Sequence, residues 1–405
     1  MMGYARASVT YASDGNATTG DIVRSEEAAG KLVPGGGRDL HTLKSEVLHR
    51  AGRNMPPLGG ISAEDARAAL AVIDSLDRDT WARAWSGAAE KHENEARNAG
   101  ARDVPRAIRA WWNAWRLHHF ARWPTENAPA KRHAKERALE AFRNYARLLD
   151  PPIELVRIPF EGREIVGYLR LPGNVRPAPL VFGIAGLDSR KEDVAAHTDA
   201  YLKHGLGVFA VDLPGTGESP IAPATPDSDR LFSAVLDHLA TRDDIDAKRI
   251  VVQGRSWSGY WAAKLAITER ARLCGSIMHG GPIHGYFQRE WMTESLRTSE
   301  YLYDYLEAKC AMFGAENLHD LLERAAAYSL LHAGLLDRPS APMLLVNGAR
   351  DSQIPIEDLF LLLEHGDAKE AWVNPRGGHM GRSPDWPPSA IAERVLLPWI
   401  LRVTA

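Results

Sequence analysis

Apolar residues follow two different periodicities along the chain, and the change falls near residue 150. Before it, apolar side chains recur every three or four positions, as at Leu70, Ile73 and Leu76, which is typical of amphipathic helices. No strand-like alternation appears before residue 153. The pattern therefore predicts a helical segment, with helices over residues 80–98, 104–120 and 130–149.

Beyond residue 150, short apolar runs alternate with helical stretches. Residues 153–157 and 164–171 are predicted strands joined by a turn at Glu161-Gly162, which indicates an antiparallel hairpin at a sheet edge. Strand and helix repeated in this way predict an α/β fold with a mostly parallel, doubly wound sheet and helices on both faces. The further strands are predicted at residues 180–184, 207–211, 249–253, 275–279, 343–347 and 370–374.

These patterns divide the chain into three parts. Residues 1–40 are rich in Gly, Ser, Thr and Asp and lack periodicity, which predicts a mobile N-terminal extension. Residues 41–150 form the predicted helical domain, and residues 151–405 form the predicted catalytic domain. Residues 283–337 interrupt the strand rhythm with an aromatic, charged helical insertion, which is expected to lie at the carboxyl ends of the strands, where sites form.

Composition and charge exclude several classes of protein. A formal net charge of −3 offers no basic surface for nucleic acid or anionic lipid. Cys274 and Cys310 form neither a disulfide framework nor a zinc motif. No apolar run approaches the roughly 20 residues of a membrane span, and the first residues lack the apolar core of a signal peptide. We expect a soluble, cytoplasmic protein that uses no metal or other cofactor.

The stretch Gly254-Arg255-Ser256-Trp257-Ser258-Gly259 joins a predicted strand to a predicted helix. Serine hydrolases carry their nucleophile in the pattern G-x-S-x-G at such a turn, which is strained and accepts only small residues at the flanking positions. Here Ser258 stands where the pattern has its second glycine, and Gly259 follows it. The stretch predicts Ser256 as a nucleophile, with an ordinary Gly/Ser turn as the alternative.

Two later loops supply the partners that a serine nucleophile requires, namely a histidine to take its proton and an acid to orient that histidine. Asp351 follows the predicted strand 343–347, and His379 follows the predicted strand 370–374. The chain order of Ser256, Asp351 and His379 is that of α/β-hydrolases. The alternatives, whose positions relative to the strands fit less well, are His279, His284, Asp212, Asp337 and Asp358.

An oxyanion formed by attack of the serine needs backbone N–H donors that are already in place. One predicted donor is the N–H of Trp257, directly after the nucleophile. The second is the N–H of Leu187, in the loop after strand 180–184, where Gly186 lets the backbone approach a substrate.

On these motifs the chain resembles the FrsA-like α/β-hydrolases, among them carbon–carbon bond hydrolases. The resemblance extends from about residue 55 and includes segments 158–162, 167–172 and 212–219. Its most specific part is Gly186-Leu-Asp-Ser-Arg-Lys-Glu192. The family has glycine where this chain has Ser258, which leaves the predicted triad intact and indicates a different pocket.

The resemblance implies an α/β-hydrolase fold in which the helical domain and the insertion form a lid, and often a homodimer. It also implies an acid near the site, for which Glu290 is the candidate. The alternative for Glu290 is a solvated position on an amphipathic helix. The other candidate pocket residues are Gly186, His284, Tyr286 and Arg382.

The combined expectation is a serine hydrolase that acts on a small-molecule carbonyl substrate. Ser256 attacks the carbonyl, His379 transfers the proton, and Asp351 orients His379. The resemblance implies carbon–carbon bond cleavage of a ketone or β-diketone-like substrate of aryl or polyketide type. An ester or lactone is the second candidate, because the same groups serve both reactions, and acyl transfer is the third. A regulatory binding protein with a hydrolase fold is the non-enzymatic alternative.

Overall fold

A computed structural model describes residues 38–405 of the chain. The mobile extension predicted over residues 1–40 lies, up to residue 37, outside the described residues. The first strand begins at Glu154, so the change of periodicity near residue 150 coincides with the change from helix to sheet. The helices of the first part are α1 Leu40–Gly52, α2 Ala63–Ala71, α3 Arg78–Ala99, α4 Val104–Arg122 and α5 Pro129–Ala146.

Side-chain caps fix where four of these helices begin. At each of these four positions a side-chain oxygen accepts a hydrogen bond from a backbone N–H three residues further on, which satisfies a donor of the first turn. The capping residues of α1, α2, α3 and α4 are Asp39, Ser62, Asp77 and Asp103.

The strands form one sheet of eight in the order β1-β2-β4-β3-β5-β6-β7-β8. β1 pairs antiparallel with β2, and β2 with β4, whereas all pairs from β4 to β8 are parallel. The predicted edge hairpin and the mostly parallel α/β sheet are confirmed. The strands are β1 Glu154–Phe160, β2 Arg163–Arg170, β3 Ala178–Ile184, β4 Gly207–Val211, β5 Ile245–Arg255, β6 Gly275–His279, β7 Met343–Gly348 and β8 Glu370–Asn374.

Helices cover both faces of the sheet. The helices that follow β3, β4 and β5 are α6 Lys191–Ala196, α7 Asp199–Lys203, α8 Arg230–Ala240 and α9 Gly259–Thr268. The insertion between β6 and β7 contains α10 Arg289–Ser295, α11 Tyr305–Phe313 and α12 Leu318–Ala326. The last helices are α13 Ile356–Glu364, α14 Pro388–Ile391 and α15 Leu397–Val403. On one face Val251 packs in a core with Trp399, and on the other Val252 packs in a core with Phe232 and Trp261.

The strand order places a crevice above the centre of the sheet. The chain turns to one side of β3 to form β4 and then crosses to the other side to form β5. In open α/β sheets the carboxyl ends of the strands at such a reversal are where ligands bind. The loops after β3, β5, β7 and β8 therefore meet at one edge.

The start of the insertion is anchored by Asp358 of α13. This buried carboxylate accepts four hydrogen bonds, 2.6–3.2 Å long, from consecutive backbone N–H groups. The donors are Ile283, His284, Gly285 and Tyr286. Asp358, an alternative triad acid in the sequence, is thus engaged by the backbone of the insertion.

The helical part and the insertion are joined by buried charged groups. Asp304, at the start of α11, accepts hydrogen bonds from Arg78 Nε at 2.9 Å and from Lys131 Nζ at 3.0 Å. Arg50 Nη1 donates to the carbonyl oxygen of Glu300 at 2.6 Å. Two segments that lie far apart in the sequence are therefore in direct contact.

None of the helices in residues 38–405 has both the length and the apolar character needed to cross a bilayer. The homodimer and the cytoplasmic location stay predictions.

Lys309 is a cation of the insertion that has no accessible surface. Its Nζ donates to Ser295 Oγ at 2.8 Å and lies 4.2 Å from the ring centroid of Tyr305. No carboxylate among residues 38–405 lies at ion-pair distance from this amine. Burial lowers the pKa of Lys309 well below its ordinary value, so protonation of this amine opposes folding.

We expect Lys309→Met to raise the free energy of unfolding by roughly 1 kcal/mol or more at neutral pH. Methionine removes the buried amine, and Ser295 keeps its hydrogen bond to the carbonyl of Met292 at 2.8 Å. Because the folded-state pKa lies below the unfolded one, the parent protein gains stability as pH rises toward the unfolded pKa of lysine. Denaturant unfolding between about pH 6 and about pH 9 measures this slope. A variant that retains the parent's slope would contradict the prediction.

Candidate active site

Ser256 lies on a sharp turn at the carboxyl end of β5. It opens a 3-10 turn that leads directly into α9, and its φ of +55° is strained for a residue with a side chain. Gly254 is required here, because a Cβ at this position would overlap the carbonyl oxygen of Ser258. A Cβ on Gly259 would come within 2.6 Å of the Cα of Gly281. The turn therefore has the strand–turn–helix geometry of a nucleophile elbow.

Ser258 occupies the position where the motif has its second glycine, and it is buried. Its Oγ accepts a hydrogen bond from the N–H of Arg255 at 2.8 Å. The hydroxyl lies 2.9 Å from the carbonyl oxygen of Ile184, to which it donates. Ser258 thus links the turn to the end of β3. The elbow accommodates this serine in place of the motif's glycine without loss of the turn.

Hydrogen bonds connect the three residues that the sequence predicted as a triad. Ser256 Oγ lies 2.7 Å from His379 Nε2, and His379 Nδ1 lies 2.7 Å from Asp351 Oδ2. Asp351 and His379 are buried, in the loops after β7 and β8. The structure therefore brings together, at one edge of the sheet, residues from three separate loops.

The environment of Asp351 favours its ionised form. Burial by itself would raise the pKa of Asp351, but His379 and two backbone donors outweigh it, and the pKa is lowered. The donors are the N–H groups of Gln353, at 2.8 Å, and Ile354, at 3.1 Å, which both reach Oδ1. An ionised Asp351 fixes the Nδ1 proton of His379 and leaves Nε2 free to accept the proton of Ser256.

Glu300 of the insertion connects the two loops that carry His379 and Asp351. Its Oε2 accepts hydrogen bonds from Arg382 Nη2 at 3.0 Å and from Gln353 Nε2 at 3.1 Å. Its Oε1 lies 3.4 Å from the backbone N of His379, and Arg382 Nε donates to the carbonyl of His379 at 2.9 Å. Glu300 was not predictable from the sequence, because it belongs to no motif and lies 79 positions before His379.

The loop after β3, which carries Leu187, lies against the elbow. A Cβ on Gly186 would be 3.1 Å from the carbonyl oxygen of Arg255 and 3.5 Å from Ser256 Cβ, so this glycine permits the approach. The N–H of Leu187 makes no hydrogen bond within residues 38–405. Trp257 follows the serine in the same turn. Donation of these two N–H groups to an oxyanion stays a prediction.

The structure does not bring Glu290 to the site. Glu290 is exposed on α10, whereas Met292 and Ser295 provide the buried side of this short helix. The solvated alternative therefore describes Glu290, and a role in the pocket is not supported. His284 is hydrogen-bonded to Ser329 Oγ at 2.7 Å and packs on the ring of His332.

Tyr286, another predicted pocket residue, belongs to an aromatic cluster around Trp257. Its hydroxyl is buried and interacts with the side chains of Tyr305 and Trp257. Burial raises the pKa of Tyr286 above its ordinary value, so the hydroxyl keeps its proton. The rings that pack within 6.2 Å of the Trp257 centroid are those of Tyr260, Phe287, Phe313 and Tyr328.

A second aromatic group borders the loop after β3. Trp123 Nε1 donates to Asp188 Oδ2 at 2.8 Å, and its ring stacks on Tyr301 at 5.4 Å. Tyr301 in turn stacks on Tyr305 at 3.9 Å. Side chains of the helical part and of the insertion thus meet beside the candidate site. Across residues 38–405, no group of three or more His, Cys, Asp or Glu side chains is arranged to hold a metal ion.

The fold and the site together define a class of protein. A doubly wound sheet with a serine on a strained strand–turn–helix connection, followed in the chain by an acid and a histidine after later strands, is the arrangement of an α/β-hydrolase. The chain belongs to the FrsA-like esterase family, since the family model described as "Esterase FrsA-like" matches residues 70–373. The predicted family and hydrolase class are confirmed.

Several known proteins are similar to the chain. Esterase FrsA of Vibrio vulnificus (strain YJ016) is 27% identical over 297 residues, which cover 71% of this chain and 69% of that protein. The 20-hydroxy-prefusarin hydrolase of Gibberella moniliformis (strain M3125 / FGSC 7600) is 27% identical over 343 residues, which cover 73% of this chain and 79% of the relative. The crystal structure of 2,6-dihydroxy-pseudo-oxynicotine hydrolase has a TM-score of 0.71 at 23% identity, covering 85% of this chain and 94% of that one. The last similarity shows a shared fold.

Proposed function

We propose that Ser256, His379 and Asp351 form the catalytic triad of this hydrolase. The observation that carries the proposal is the continuous chain of two 2.7 Å hydrogen bonds that begins at a serine in a strained elbow. A serine hydroxyl is a weak nucleophile unless a positioned base takes its proton, and this geometry supplies that base.

The reaction would follow acyl-transfer chemistry. Ser256 Oγ bonds to the substrate carbonyl carbon while its proton moves to His379 Nε2, and the oxyanion accepts hydrogen bonds from the N–H groups of Leu187 and Trp257. The tetrahedral intermediate collapses, and the leaving group takes the proton from His379. A water molecule, deprotonated by His379, then hydrolyses the acyl-enzyme.

For the substrate we propose a ketone or β-diketone-like molecule of aryl or polyketide type, cleaved at a carbon–carbon bond. The broken bond leaves its electron pair on the carbon of an enolate, which His379 protonates. The aromatic rings around Trp257, the residue that follows the proposed nucleophile, support a site for an aromatic or extended unsaturated substrate. The resemblance to carbon–carbon bond hydrolases supports the same choice.

Ester or lactone hydrolysis is the second candidate, because the family is named for an esterase and the same groups would serve it. Acyl transfer to another nucleophile is the third, since a site that excludes water would favour it. We also propose that residues 41–150 and the insertion together cover the site as a lid, on the basis of the contacts that Arg50 and Lys131 make with the insertion.

We expect the purified protein to form a covalent adduct with a fluorophosphonate at Ser256 and to cleave an aryl 1,3-diketone with a higher kcat/KM than p-nitrophenyl butyrate. Intact-mass spectrometry and peptide mapping locate the adduct, and product analysis measures the cleavage. Ester turnover without diketone cleavage would remove the carbon–carbon proposal and leave the esterase. A protein that reacts at no serine would contradict the triad.

A further inference from the structure

Buried arginines hold three consecutive carbonyl groups of the loop after β3. Arg190 Nη1 donates to the carbonyl oxygens of Leu187, at 3.2 Å, and Ser189, at 2.7 Å. Arg122 Nη2 donates to the carbonyl oxygen between them, that of Asp188, at 2.8 Å. Rotation of any of these peptide planes would break a hydrogen bond to a desolvated guanidinium, so the loop is held in one conformation.

One of the two arginines comes from the helical part of the chain. Arg122 is the last residue of α4, and it is 1% exposed. Its neighbour Trp123 binds the side chain of Asp188, so the end of α4 holds this residue by both backbone and side chain. Glu126 accepts hydrogen bonds from Arg190 at 2.9 and 3.1 Å and lies 3.8 Å from Arg122. Glu126 thus lies at ion-pair distance from both adjacent cations.

We infer that the end of α4 is part of the oxyanion machinery, with Arg122 and Trp123 as positioning residues for the N–H of Leu187. The inference rests on the proposed function, since it needs an oxyanion beside Ser256. Gly186 gives this loop conformational freedom, and an oxyanion hole is effective only when its donors are fixed before the reaction. The helical part supplies that rigidity from outside the catalytic domain.

The variants that test this inference are Arg122→Met and Trp123→Phe, with Arg116→Met as the matched control. Trp123→Phe keeps an aromatic ring to stack on Tyr301 and removes the N–H that binds Asp188, together with part of the buried indole. Arg116 is also a buried arginine of α4, and its Nη1 donates to Asp193 Oδ1 at 2.7 Å. It makes no hydrogen bond to residues 187–189 in the described structure.

We expect Arg122→Met to lower kcat for p-nitrophenyl butyrate by about tenfold to a hundredfold, with KM changed by about twofold or less. Trp123→Phe should also lower kcat, by a smaller factor than Arg122→Met. Binding of an aryl boronic acid, which forms a tetrahedral adduct with a serine, should weaken in parallel with kcat. Arg116→Met should retain the parent kcat per folded molecule, even where thermal unfolding shows lower stability.

Two results would overturn the inference and leave the proposed function standing. The first is a folded Arg122→Met or Trp123→Phe protein that has the kcat and the boronate affinity of the parent. The second is an equal loss of kcat in Arg116→Met and Arg122→Met. Equal loss would mean that the buried arginines act only by joining the helical part to the sheet. A parent protein that neither hydrolyses the ester nor reacts with a fluorophosphonate would instead overturn the proposed function, and the inference with it.

Discussion

Ser256→Ala is expected to lower kcat for the preferred substrate by about ten-thousandfold or more while the fold is retained. The substitution removes the only atom that the proposed mechanism bonds to the substrate. The residual rate would come from substrate binding and from the backbone donors, which do not depend on the hydroxyl. Alanine and serine both carry a Cβ, so the positive φ of this position costs nearly the same in both proteins.

Ser276→Ala is the matched control for this change. Ser276 is a buried serine of β6 whose Oγ donates to the carbonyl of Ala262 at 2.8 Å, and it contacts none of the three proposed catalytic residues. It should retain the parent kcat with a loss of roughly 1 kcal/mol of stability. Initial rates and thermal unfolding of both variants measure the two effects. A Ser256→Ala protein within tenfold of the parent would contradict Ser256 as the nucleophile.

Asp351→Asn is the second change with a large expected effect, a loss of about ten-thousandfold in kcat with little change in KM. Because the N–H groups of Gln353 and Ile354 donate to this side chain, the amide oxygen of asparagine would take the position of Oδ1. Its N–H₂ would then face His379 Nδ1, and Nδ1 becomes the acceptor. The proton of the neutral imidazole then lies on Nε2. Nε2 therefore cannot take the proton of Ser256. The chain of hydrogen bonds would persist with the wrong polarity.

Asp358→Asn tests the same change at the buried aspartate that competed for this role in the sequence. Its carboxylate accepts four backbone N–H groups of the insertion. An amide offers one acceptor atom, so we expect a loss of about 1 to 3 kcal/mol in stability and a smaller effect on kcat than in Asp351→Asn. Denaturant unfolding and steady-state kinetics separate the two variants. A larger loss of kcat in folded Asp358→Asn would reverse the assignment of the acid.

The sheet was predictable because its central strands are buried on both faces and therefore appear as β-branched, apolar runs. The apolar pattern does not mark the whole of β5. The strand begins at Ile245, whereas the pattern predicted its start at residue 249. Of its first residues, Ile245-Asp-Ala-Lys, only Ile245 is buried, and their pairing with β3 includes a register shift after Ala178. A strand that extends past the core leaves no apolar pattern to detect.

Part of the site was predictable because it follows from strand ends. Ser256, Asp351 and His379 each come shortly after a strand that the apolar pattern marks, and parallel strands end at the same edge. Glu300 and Arg122 lie in helical or irregular segments and reach the site through contacts across the sequence. The orientation of Glu290 depends on the phase of α10, a helix of 7 residues, which is too short to define a polar face.

Ser258 has a consequence for the recognition of such proteins from sequence. The steric demand of this elbow falls on Gly254 and on Gly259, where added Cβ atoms would collide with the backbone, and the position between Trp257 and Gly259 holds a hydroxymethyl group. The sequence pattern G-x-S-x-S-G is therefore compatible with the same turn geometry. A pattern search that insists on glycine two places after the serine would pass over chains of this kind, although their geometry at the nucleophile is unchanged.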